Sequence, residues 1–77
     1  MNELCIASEI QKNNKDEAVA IQGYSELMNQ IINSDLSDQE KEIAVNTIKE
    51  IISDELNHQK KLQELYTLIT GIEPNIN

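Results

Sequence analysis

The chain has no arginine, no tryptophan and no phenylalanine, and only one cysteine, one proline and two glycines among 77 residues. Each shortage excludes something. A lone Cys5 cannot close an intrachain disulfide, and no second cysteine stands at CxxC spacing. Without arginine there is no bidentate clamp for phosphate or carboxylate ligands. Fourteen acidic residues against six lysines leave a net charge of −8, which offers nucleic acid no basic face. No apolar run approaches the roughly 18 residues of a membrane span, and the N-terminus lacks the basic-then-apolar pattern of a signal peptide. The expectation is a cytoplasmic protein without nucleic-acid or membrane partners.

What is present is helical. Packing must come from Ile and Leu, because Tyr24 and Tyr66 are the only aromatics. Ile6, Ile10, Ile21, Tyr24, Met28 and Ile31 recur at the 3.6-residue period and predict a first helix over about 3–33. The polar stretch from Gln11 to Asp16 is where that helix would fray or kink. Gly23 costs roughly 1 kcal/mol against Ala in a helix interior and would permit close approach of another helix. A turn follows at 34–37. Ser37 with Glu40 reads as a capping box, and Asp38, Glu40 and Glu42 put negative charge at the positive end of a second helix over about 38–70. Its stripe is carried by Ala44, Ile48, Ile51, Ile52 and Leu62, with Leu65 and Ile69 beyond. Gly71 is placed to cap it in the left-handed conformation, Ile72 to fold back and Pro74 to stop continuation, leaving 71–77 as a tail.

The expected fold class is therefore all-α: one domain over residues 1–77, an antiparallel two-helix hairpin. A single core is marginal at this length, and disulfides are excluded, so partner subunits or a bound metal must make up the difference. A homodimer or larger homo-oligomer that closes a four-helix bundle is the simplest completion.

Three residues break the apolar stripes at one level. At 100° per residue Glu17 falls in line with Ile10, Ile21 and Met28, Glu55 falls in line with Ala44 and Ile48, and His58 lies one turn beyond Glu55. A carboxylate on a buried stripe is costly without a partner. Counted from a turn centred near Asp35, Glu17 lies 18 residues before, Glu55 and His58 lie 20 and 23 after. In an antiparallel hairpin the three side chains reach nearly the same height. With ten glutamates in the chain, Glu-x-x-His alone is weak; shared face and height make it informative. Two copies about a two-fold axis would gather four Glu and two His, the ligand set of di-iron carboxylate bundles. Four carboxylates balance two Fe²⁺, two per dimer, and carboxylate with imidazole suits iron, with manganese or zinc able to use the same cage.

The segments Glu17-Ala18-Val19-Ala20-Ile21-Gln22-Gly23-Tyr24 and Asp54-Glu55-Leu56-Asn57-His58 resemble the ferritin-like superfamily, closest to rubrerythrins and encapsulated ferritins, over about residues 16–65. The resemblance implies Glu17, Glu55 and His58 as metal ligands and as the reacting centre, with Tyr24 beside the ligands. It implies a ferroxidase, or a di-iron centre that reduces O₂ or peroxide. One Glu-x-x-His per chain, where single-chain members carry two such motifs, implies a second copy. Without paired CxxC motifs, a rubrerythrin-type electron route would need a separate donor protein.

Plainer readings exist for each residue. Glu and His can form a metal-free polar layer that fixes helix register, in which case the chain is an acidic helical hairpin that docks on another protein. Tyr24 is ordinary core, Asn13 and Asn14 sit on a solvated or frayed segment, and Glu26, Glu50, Glu64, Lys60 and Lys61 are surface charge.

Overall fold

A computed structural model of the chain describes residues 3–71. It contains two helices, α1 (Glu3–Ile32) and α2 (Asp38–Thr70), packed side by side as an antiparallel hairpin 52 Å long, 23 Å wide and 15 Å thick. The expected fold class holds at the level of the single chain. Ile72 and Pro74 fall outside the described residues.

The element ends follow from local chemistry. α1 stops at Ile32, one residue earlier than the periodicity predicts, because Asn33 and Ser34 turn inward on the last carbonyls. Asn33 donates to the Asn29 carbonyl from both its backbone N–H (3.1 Å) and its side-chain Nδ2 (2.9 Å). The Ser34 hydroxyl donates to the Ile31 carbonyl at 2.6 Å. Carbonyls that a helix end leaves unpaired are satisfied this way. The capping box at the start of α2 is complete: the Glu40 N–H donates to Ser37 Oγ at 3.1 Å, and the Ser37 N–H donates to Glu40 Oε1 at 3.2 Å. The Ser37 hydroxyl and then the Ser37 backbone N–H beside the Glu40 carboxyl lower it below the ordinary value of 4.5. At the far end Gly71 adopts φ +69°, and its N–H donates to the Thr67 carbonyl at 2.7 Å.

The polar stretch from Gln11 to Asp16 stays helical, against the expected fray. Asn14 turns toward α2, half-buried, and its backbone carbonyl accepts a bond from Gln59 Nε2 at 3.4 Å. That cross-helix contact ties the segment down. Gly23 gives no close approach within the hairpin, since a Cβ there would meet nothing within 4 Å.

Only Ala7, Ile10 and Ile48 are buried among the described residues, each still 6 % exposed. The remaining stripe residues are half-covered, as one helix pair can shield only one side of each helix. Leu65, expected in the stripe, remains 43 % exposed, while Tyr66 one residue later takes the inward position.

The hairpin is two-faced. With Ile10 and Ile48 as the inward direction and 100° per residue, both helices present the same sense of flank to each side, because they run antiparallel. One flank carries Ile6, Tyr24, Ile31, Ile51, Leu62 and Ile69. The other carries Gln11, Asn14, Ser25, Gln59, Gln63 and Thr67. The first, here the apolar flank, also holds Asn13, Glu17, Glu55 and His58, while the second, amide-rich flank mixes these amides and hydroxyls with Ile32, Val45, Ile52 and Leu56.

Candidate metal centre

Glu17 comes from the middle of α1, and Glu55 and His58 from the middle of α2, one helical turn apart on one face. Ile21, half-buried, lies one turn from Glu17, and buried Ile10 and Ile48 lie two turns away on either side of this level. One ligand atom from each lies within 4.8 Å of the others. His58 Nδ1 is 3.8 Å from Glu17 Oε2 and 4.0 Å from Glu55 Oε2.

Those separations exceed hydrogen-bonding distance, so the three groups face one another without bonding. They are wider than the roughly 3.0–3.4 Å between neighbouring donors that metal–ligand bonds of about 2.1 Å imply; a small side-chain rotation closes the difference. The Glu17 and Glu55 side chains are 25 % and 20 % exposed, while His58 is 54 % exposed. Within the carboxylate of Glu17, Oε2 is buried and meets no hydrogen-bond donor. A buried acceptor without a donor is normally disfavoured by about 1–3 kcal/mol.

All three residues chosen from the sequence are brought together. Tyr24 is not among them: it stands seven residues along α1 from Glu17, about 10 Å by helix rise, half-buried in the same flank. The site opens on the apolar flank into a shallow depression lined by Asn13, Glu17, His58, Lys61 and Leu62. Asn13 and Lys61 thus border the site rather than plain solvent. Asn14, read from the sequence as solvated, has a buried Oδ1 that also lacks a donor. Its inward placement was signalled only by its position one turn before Glu17. Glu26, Glu50, Glu64, Lys60 and Lys61 are exposed as expected.

The donor set fits a metal ion. Two carboxylates and one imidazole, drawn from two rigid helices, offer hard and borderline ligands with a combined charge of −2 when His58 is neutral. No protein-family model, no curated protein and no solved structure matches this chain.

Proposed function

We propose that the hairpin is half of a metal centre, in which Glu17, Glu55 and His58 hold one divalent first-row metal ion and a second copy supplies the same three groups to a second ion. The single observation that supports this reading most is the orphaned Glu17 Oε2, buried among three convergent ligands that do not bond to one another. A polar layer built to set helix register would be paired at about 2.7–3.2 Å. This cluster is unpaired, and a small side-chain rotation brings its members to the spacing a cation requires.

Charge and ligand type narrow the ion. Each copy contributes −2, which one divalent ion neutralises. Imidazole disfavours Mg²⁺ and Ca²⁺, and oxygen-rich ligation suits iron or manganese, with zinc also accommodated. Iron is the preferred ion on this reading, as in the ferritin-like half-bundles that the ligand residues resemble. With iron bound, such a site supplies electrons to O₂ or peroxide, so the proposed activity is that of a ferroxidase or a peroxide- or O₂-reducing centre.

The chain's own groups have separate tasks. Glu17 places charge in a poorly hydrated position between the helices, where its attraction for a cation is least screened. Glu55 adds the second carboxylate, and His58 closes the set from the rim. His58 is open to solvent in the single hairpin, so a second copy is what would cover it.

The test is anaerobic Fe²⁺ titration followed by admission of air. Wild type is expected to take up about one iron per chain and to gain near-UV ligand-to-metal absorption, while Glu17→Ala, still helical by circular dichroism, takes up none. Equal uptake by the variant, or none by wild type, would sink the proposal. The chain would then be read as a metal-free acidic hairpin that docks on another protein. Elemental analysis of protein purified without added metal distinguishes iron from manganese and zinc.

A further inference from the structure

We propose that the occupant of the triad-bearing flank is a second copy lying turn against open end, about a two-fold axis that crosses both helices at the level of Glu17 and Glu55. It deepens the metal-centre reading by fixing the orientation of the partner, and it rests on that reading only where it brings the two triads together.

The position of the triad is the first argument. In α1, fourteen residues precede Glu17 and fifteen follow it; in α2, seventeen precede Glu55 and fifteen follow it. A crosswise two-fold axis at mid-length overlays two hairpins along their whole length. A triad near either end would leave half of each hairpin overhanging. A lengthwise axis imposes no such condition, so the central placement is explained by the crosswise one alone.

Charge is the second argument. The half of the molecule next to the turn carries Glu26, Asp35, Asp38, Glu40, Glu42 and Glu50 against Lys41 and Lys49. In the half next to the open end, Lys12, Lys15, Lys60 and Lys61 balance Glu3, Glu9, Asp16 and Glu64. Turn-beside-turn packing would set two strongly acidic halves together. Turn against open end sets each acidic half beside lysines, and complementary potentials of this kind orient association. Lys61 of one copy then comes level with Glu50 of the other, with Asp54 about a turn and a half further along the same edge of α2.

Area suits a second copy as the occupant. The hairpin face measures 52 by 23 Å, ample for the roughly 800 Å² per partner of a stable interface. The chain exposes 6019 Å², against about 4,700 Å² for a compact monomer of its mass. Leu27 and Leu65, 42 % and 43 % exposed, lie on the triad flank in opposite halves of the molecule. Ile32 and Leu56, 52 % and 53 % exposed, lie toward the other flank by the same count, so the triad rather than apolar exposure selects the flank.

Distance measurement between spin labels decides it. In a Cys5→Ser background, Asp35→Cys places one label at each turn. Measurements use this chain with one Zn²⁺ per chain, and a Glu17→Gln/Glu55→Gln version without metal, which removes the repulsion of four carboxylates. Labels about 50 Å apart in either sample are the expected result, from a rise of 1.5 Å per residue on each side of the axis. Labels within about 20 Å, the separation of neighbouring turns in a bundle, would overturn the orientation. Monomers in both samples would overturn the dimer. Failure of iron uptake with the long distance retained would remove the metal reading and leave the interface standing.

Discussion

Glu17 carries the conflict on which the functional reading turns. Its buried Oε2 meets no hydrogen-bond donor, and His58 Nδ1 stands 3.8 Å away, beyond hydrogen-bonding distance. Glu17→Gln keeps the shape and removes the charge. The variant is expected to be more stable than metal-free wild type by about 1 kcal/mol, a rise in melting temperature of about 4–8 °C for a domain of this size. In excess Fe²⁺ or Zn²⁺ under anaerobic conditions the order should reverse, because only wild type gains binding energy. Paired thermal melts with chelator and with metal give both comparisons, and a variant that is less stable in chelator would show that Glu17 is satisfied after all. The three ligands were legible in the sequence because regular helices convert residue counts into height and angle: 18 residues back and 20 or 23 forward from the turn land at one level. The environment of Asn14 was not legible. Whether a polar side chain frays outward or tucks between helices depends on a tertiary partner, here Gln59, 45 residues away.

At the scale of the element, capping chemistry and glycine make separate forecasts. The Ser37–Glu40 box lowers the carboxyl of Glu40 through hydrogen bonds from Ser37. A depressed carboxyl contributes stability that is full above its unfolded value, near the ordinary 4.5, and is lost as pH falls through the lower folded value. The melting-temperature advantage of wild type over Glu40→Ala should therefore hold at neutral pH and shrink as pH falls from 4.5 through the lower folded value; an advantage that does not shrink on acidification would contradict the box. Gly23 speaks to assembly. A methyl group there meets nothing in the hairpin, and the residue is exposed on the outer edge of α1. Gly23→Ala should raise stability by about 1 kcal/mol in monomer and dimer alike, measured by thermal melts at low and high protein concentration. Destabilisation confined to the concentrated sample would place Gly23 inside an interface. Helix limits were readable to within a residue, since caps and turn residues are local; the early stop at Ile32 came from two side chains competing for the last carbonyls, which periodicity does not register.

For the whole molecule, the hairpin is a folded unit whose covering is incomplete, with three buried residues among those described and a solvent-facing ligand on the triad flank. Composition foretold the shortage of core, but which flank lies open depends on how the two helices are rotated against each other, and that emerges only from their packing. If turn meets open end across that flank, charge reversal is the sharpest probe. Lys61→Glu sets an acid against Glu50 of the other copy at two symmetric places. An exposed pair is worth up to about 1 kcal/mol, so two lost pairs should weaken dimerisation by roughly tenfold or more, with the larger effect at low salt because surface charges are screened. Adding Glu50→Lys to the same chain restores opposite charges across the interface and should recover most of the lost affinity in sedimentation equilibrium at low salt. Recovery separates a specific pairing from a general effect of net charge: the double variant returns to −8, whereas Lys61→Glu alone stands at −10, as does the control Lys60→Glu on the other flank. If Lys60→Glu weakens the dimer as much as Lys61→Glu does, self-repulsion governs and the proposed orientation loses its electrostatic support.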